Sequence, residues 1–245
     1  MNYNPYAAPQ AAPQALSASY TGTPQPWEIG EVLSGAWEAF KPNWVVLVFG
    51  MLVGWFVAAI PSMIPPVAVA TRMVTLHSAG YWAIYVPCTF VGIVVGAFFQ
   101  VGFVRMWLKA ARGERPEFDE LFSGGSRFLP MLLSTLILGF AVCVGAMLCL
   151  VPGVIVGLGL MFMPYYVVDQ ELGPMDAMAA SWSATTGQKG ALFLFAIVTV
   201  LLAMGGAMAC CVGFLIAMPI TAIATATVYL RISGRGAPFR EAGAL

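Results

Sequence analysis

Two stretches of equal length, Phe128 to Val168 and Gly190 to Leu230, each run for 41 residues without one Asp, Glu, Lys, Arg or His. At a rise of about 1.5 Å per residue such a run reaches roughly 60 Å, twice a hydrocarbon core of about 30 Å. Each is therefore expected to cross a bilayer and return as a helical hairpin. A third run, Pro42 to Val104, is broken only by Arg72 and His77, and the same reading gives it a longer turn in its middle. The pattern predicts an all-α, polytopic membrane bundle of about six transmembrane helices. The spans fall near 43–60, 82–108, 128–150, 153–168, 190–210 and 214–231, with tight outer turns at 151–153 and about 211–213.

A different periodicity precedes each hairpin. After Pro26, the residues Ile29, Val32, Leu33, Ala36, Trp37 and Phe40 recur at helical spacing with Glu28, Glu31, Ser34, Glu38 and Lys41 opposite, the pattern of a one-faced helix too polar to span. After Pro116, Phe118, Leu121 and Phe122 oppose Glu117, Asp119 and Glu120. After Pro174, Met175, Met178, Ala179 and Trp182 oppose Asp176 and Ser183. Proline suits a first helical position because its missing N–H has no partner there, and acids in the next turn complement the helix dipole. Three repeats of interfacial helix plus hairpin are thus expected, in units 27–115, 116–172 and 173–232, between a disordered Pro/Ala/Gln-rich tail at 1–26 and a short tail at 233–245.

Composition sharpens this picture. The chain is 60% hydrophobic and 9% charged, with a mean hydropathy of +0.85, whereas soluble domains carry about 25% charge. All 11 acidic residues and 10 of the 11 basic ones flank the hairpins, so the charged connectors are expected to share one face. By the positive-inside rule that face is cytoplasmic, as are both termini, with Arg72 alone on the outer side.

Candidate chemistry is sparse. His77 is the only histidine and lies in the outer loop, so neither a Ser/His/Asp set nor a His-based metal centre can be assembled. Asp119 with Glu120 and Asp169 with Glu171 read as solvated charges at helix ends rather than acid/base pairs. No catalytic, cofactor or metal site is expected, no cofactor is implied, and no nucleic-acid partner is indicated. Span centres carry no charge, and hydroxyls such as Ser134 and Thr135 are expected to satisfy themselves on helix carbonyls. Gln100 stands out because its amide needs several partners, and a buried interhelical bond is the preferred reading. Pro164 and Pro219 are expected to kink the second helix of their hairpins. Gly50 with Gly54, Gly92 with Gly96 and Gly153 with Gly157 are spaced for close helix packing within the bundle. The five cysteines read as packing residues, with a Cys149 disulfide to Cys210 or Cys211 left open.

From Pro164 onward the chain reads PYYVVDQELGPMDAMAASWSATTGQKGALFLF and closes with PITAIATATVYLRI. This resembles the carboxy-terminal half of the YciC-like bacterial inner-membrane proteins and of the membrane domain attached to some bacterial glycerophosphoryl diester phosphodiesterases. Asp169, Ser181, Trp182, Thr186 and Gly187 occupy the matching positions. The phosphodiesterase catalytic domain has no counterpart here, so the resemblance implies architecture and a bacterial cytoplasmic membrane, and no activity. Read physically, Asp169 ends a span, Trp182 anchors at headgroup level and Gly187 ends the interfacial helix. The expectation is a non-enzymatic structural, regulatory or lipid-interacting membrane protein, with lipids as partners and room for a protein partner on the cytoplasmic face. The alternative is a transporter or permease-like subunit for an uncharged or amphipathic solute, with Gln100, Pro164 and Pro219 along its path.

Overall fold

The computed structural model describes residues 24–148, 150–208 and 212–235. Its helices are α1 (Ile29–Ala70), α2 (Ala79–Ala111), α3 (Phe128–Leu148), α4 (Leu150–Leu160), α5 (Met163–Asp169), α6 (Pro174–Thr185), α7 (Lys189–Met208) and α8 (Val212–Ile232). A 3-10 segment, Phe118–Ser126, joins α2 to α3, and no strand occurs among the described residues. Six stretches are long and apolar enough to cross a bilayer: α1, α2, α3, the α4–α5 pair, α7 and α8. The chain is an all-α polytopic bundle, as the apolar pattern predicts. Cys149, Cys210 and Cys211, and with them the open disulfide question, lie outside the described residues, as does the tail at 1–23.

The three interfacial helices take three different forms. The first is not separate: its residues are the opening turns of the 42-residue α1, which continues through Pro42. It also starts later than Pro26, with Glu28 as its N-cap. Residues 24–28 are instead an extended strap, fixed where the Gln25 N–H donates to the Arg231 carbonyl at 3.0 Å and Trp27 Nε1 to Gln188 Oε1 at 2.9 Å. α1 runs about 63 Å, too long to stand upright beside its neighbours. Glu31 pairs with Arg231, and Trp55 packs on Phe214 with centroids 5.9 Å apart. About 36 Å of α1 is thus matched by about 26 Å of α8, so α1 crosses α8 obliquely.

The second is a 3-10 run, and its buried face differs from the expected one. With three residues per turn, Leu121 and Gly124 align toward α2, and Glu120 is buried beside them, while Phe118 and Phe122 stay exposed. Gly102 of α2 lets the segment approach: a Cβ there would lie 2.6 Å from the Leu121 backbone.

The third, α6, forms as predicted from Pro174, and a face of small and hydroxyl residues turns inward. Ala177, Ser181 and Thr185 are buried, whereas Met175 is 62% and Trp182 41% exposed. Apolar side chains gain nothing by leaving lipid, so small residues with hydroxyls make the helix–helix contact and the Met/Trp stripe faces outward.

Two turn assignments also change. Residues 151–153 are helical, with Pro152 tolerated in the first turn of α4. The fourth span breaks at Met161–Phe162, and Pro164 occupies the first turn of α5 rather than kinking a helix interior. Pro219 lies inside α8, which continues through it. Glycine spacing reports packing only in part: Cβ atoms on Gly50 and Gly54 would meet Met106 and Phe103, one on Gly92 would lie 3.6 Å from the Ala58 carbonyl oxygen and one on Gly153 3.0 Å from the Ala146 nitrogen, whereas those on Gly96 and Gly157 would meet open space.

Burial is uneven along the bundle axis. The core gathers Val32, Ala36 and Phe40, the second half of α2, all of α5 and the second half of α8. These are the segments nearest the charged connectors, so the bundle is dense at one end and splayed at the other.

Candidate functional site

The charged connectors meet at one end, where ion pairs stitch the three units together. Arg231 makes a bidentate pair with Glu31, at 2.9 and 2.5 Å, tying the end of α8 to the start of α1. Lys109 pairs with Glu120, and Arg127 with Glu171. Asp169 receives Arg112 from the end of α2, and Arg235, just past α8, at 3.2 Å. The segments around Arg112 and Lys189 therefore lie at the same end, as the hairpin reading requires.

Asp169 is the centre of this arrangement. It was expected to be a solvated helix-end charge, yet its side chain is only 6% exposed. A carboxylate at the C-terminus of α5 opposes the helix dipole, so it persists only with cations held against it. Arg112 meets one oxygen; Tyr229 Oη donates to the other at 2.9 Å, and Arg235 Nη1 donates both to that oxygen and to the Asp169 carbonyl, at 3.2 Å each. Tyr229 is fixed by stacking on Tyr165 at 5.4 Å and by the edge of Tyr166 at 5.0 Å, while Gln170 Nε2 donates to its oxygen at 3.3 Å. With both oxygens engaged by cations and a phenol, Asp169 is suited to holding three helix ends rather than to moving a proton.

Glu120 corrects the solvated reading in the same way, being buried against Lys109. Beside these pairs lies a groove of about 350 Å³, lined by Arg105, Lys109 and Arg112 with Glu114, Asp119, Glu120 and Asp169 among its walls. Acids and bases alternate around it, so it offers no field for a polyanion. No three His, Cys, Asp or Glu side chains come together in a metal-binding arrangement among the described residues.

Trp182 and Gly187 belong to the docking of α6. The Trp182 ring packs on Gly159 of α4, where a Cβ would come within 2.4 Å of its Cε3 edge, and Lys189 Nζ sits 3.8 Å from the ring centroid. Gly159 is near the broken end of α4, where carbonyls lack helical partners. Ser181 Oγ supplies one, donating to the Gly159 carbonyl at 2.8 Å, with Thr185 Oγ1 at 3.4 Å. The break at Pro164 and the hydroxyl face of α6 are thus one device. Gly187 takes φ +86 just after α6, a left-handed turn that suits glycine.

Gln100 bonds between helices, accepting from Thr135 Oγ1 at 3.0 Å. The structure does not bring it together with Pro164 and Pro219 in one cavity: the hollow beside Pro219 is lined by residues such as Met218, Thr221 and Ala222, with neither Gln100 nor Pro164 in its walls. Ser134 departs from the expected self-satisfaction, since its buried Oγ has no hydrogen-bond partner. An unpaired buried hydroxyl costs about 1–3 kcal/mol, so Ser134→Ala is expected to leave stability unchanged or raise it by up to about 1 kcal/mol. Ser181→Ala, which strips the Gly159 carbonyl, lowers it. Thermal unfolding in detergent compares the two, and a loss in the Ser134 variant equal to that of Ser181 would refute the assignment.

Sequence reasoning missed Gly102, Gly124 and Gly159, where a backbone or ring sits against the glycine. Their spacing gives no signal, because the contacting partner comes from another element. It also missed Tyr229 and Arg235 as partners of Asp169; a carboxylate at a helix C-terminus was the available clue. No family model matches the chain, and no solved structure does so at a significant level. The chain is similar to an uncharacterized protein of Mycobacterium bovis, Mb2590, at 24% identity over 85% of this chain and 69% of that protein. It is likewise similar, at 26% identity over the same shares, to an uncharacterized protein of Mycobacterium tuberculosis, Rv2560.

Proposed function

We propose that the protein is a non-enzymatic, lipid-interacting scaffold of a bacterial cytoplasmic membrane, with its charged end and both termini on the cytoplasmic side. One observation carries this reading: every unit is tied to another at that end by ion pairs converging on Asp169 and Arg231. A carrier needs two global arrangements of its helices, and pairs of this kind oppose relative movement of α2, α5 and α8. The 10 basic residues that flank the hairpins along the sequence support the orientation. The mycobacterial relatives, and the likeness of the carboxy-terminal half to YciC-like proteins, support a bacterial membrane. Lipid is the partner argued for, because the splayed half of the bundle exposes Phe56, Phe140, Leu201 and similar side chains.

Distances between spin labels at Ile64 in α1 and Met204 in α7, measured in nanodiscs with and without a transmembrane ion gradient, test this. A scaffold gives one narrow distribution throughout. Two populations whose balance shifts, or uptake of a neutral solute by liposomes containing the protein, would replace it by the carrier reading.

A further inference from the structure

Between α1, α7 and α8 the bundle leaves a lateral hollow of about 310 Å³, with Trp55, Tyr165, Thr199, Ala203, Thr221 and Thr225 among its walls. It lies within the spans. Tyr165 and Trp107, within about a turn of Asp169 and Lys109, mark its inner end, and Trp55 packed on Phe214 marks its outer end. It opens beside Val200, which is 55% exposed. Its polar groups are already engaged: Thr199 Oγ1 donates to the Ala196 carbonyl at 2.9 Å, Thr221 Oγ1 to Met218 at 2.9 Å, Thr225 Oγ1 to Thr221 at 2.7 Å and Tyr165 Oη to Ala222 at 3.3 Å. Besides these hydroxyl oxygens, the lining is mainly apolar, with the rings of Trp55 and Trp107 and the thioethers of Met51 and Met218 in its walls.

Size and chemistry select the occupant. The hydroxyl oxygens can still accept from a water, but the lining is predominantly apolar and opens toward lipid, which favours a hydrocarbon occupant. A helix about 10 Å across would use this volume in about 4 Å of its length, less than one turn. Along α8 the walls run from Met218 to Thr225, about 10 Å, over which the same volume has a cross-section of about 30 Å², room for one polymethylene chain of about 20 Å² and not for two. We propose that the hollow holds one acyl chain of a membrane phospholipid, bound as a resident ligand rather than exchanging with the surrounding lipid. The proposal rests on the lipid-interacting part of the reading above and not on its static part.

Native mass spectrometry of the full chain, washed in detergent and then offered dioleoyl phosphatidylglycerol or oleic acid, tests it. The expected result is one phospholipid retained per chain. Ala203→Phe and the smaller Thr221→Leu, which fill the hollow, should each cut retention about tenfold by excluding several methylenes, whereas Leu201→Phe on the exposed side of α7 should not. Circular dichroism identifies a variant that fails to fold, and Thr221→Leu, the smaller of the two enlargements, then decides. Equal retention by the filled and control variants, no retained phospholipid, or retention of oleic acid alone would overturn the proposal. Two-state label distances together with a retained phospholipid would remove the static scaffold and leave this site standing.

Discussion

Replacing Asp169 by alanine is expected to lower unfolding stability in detergent by about 3 kcal/mol, the cost typical of removing one partner from a buried ion pair. The loss is large because the carboxylate serves Arg112, Arg235 and Tyr229 at once, and they come from three separate chain segments. Asp169→Asn should cost less, since its side-chain oxygen still accepts from Tyr229 while the charge is gone. The two arginines should show coupling: Arg112→Ala should be clearly milder in the Asp169→Ala background than in the parent chain. Helical circular dichroism through a denaturant titration reads all four variants. Additive losses, or an alanine variant within about 0.5 kcal/mol of the parent, the range of an ordinary surface change, would show that Asp169 holds nothing together.

Gly102→Val carries the second large effect. A Cβ at this position would lie 2.6 Å from both the Leu121 Cα and carbonyl oxygen and 2.7 Å from the Glu120 oxygen. These are backbone atoms, which cannot move aside as the tip of a side chain can. The 3-10 segment must lift from α2, uncovering Leu121 and separating Glu120 from Lys109. A loss of about 2–3 kcal/mol is expected, within the range for overpacking, together with new proteolytic cleavage within residues 118–126. Gly96→Val is the matched comparison, because a side chain there meets open space on the same helix. Similar losses for the two would mean that valine weakens α2 wherever it is placed, with no role for the contact.

The number of spans, the sharing of one end by the charged connectors and the all-α class were legible in the chain, because the cost of placing an ionisable group in hydrocarbon is local and falls on each residue separately. Which way the short elements face was not. The pattern of α6 marked its Met/Trp stripe, but not that Ala177, Ser181 and Thr185 form the buried face. The register of the 3-10 segment was misread because its period is 3.0 rather than 3.6. Asp169 could be seen at the end of a span, but its burial depends on Arg112, Tyr229 and Arg235, which are 57, 60 and 66 residues away.

The sequence by itself determined that this chain is threaded through a bilayer about six times with its charged connectors at one end, since that follows from transfer energies of single residues. Only the tertiary structure decided that the opening helix is continuous with the first span, that Asp169 is a locked junction and that a chain-sized hollow lies beside Trp55. Those features depend on which distant surfaces come within contact range, and pairwise contacts between remote segments leave no periodic mark on either partner.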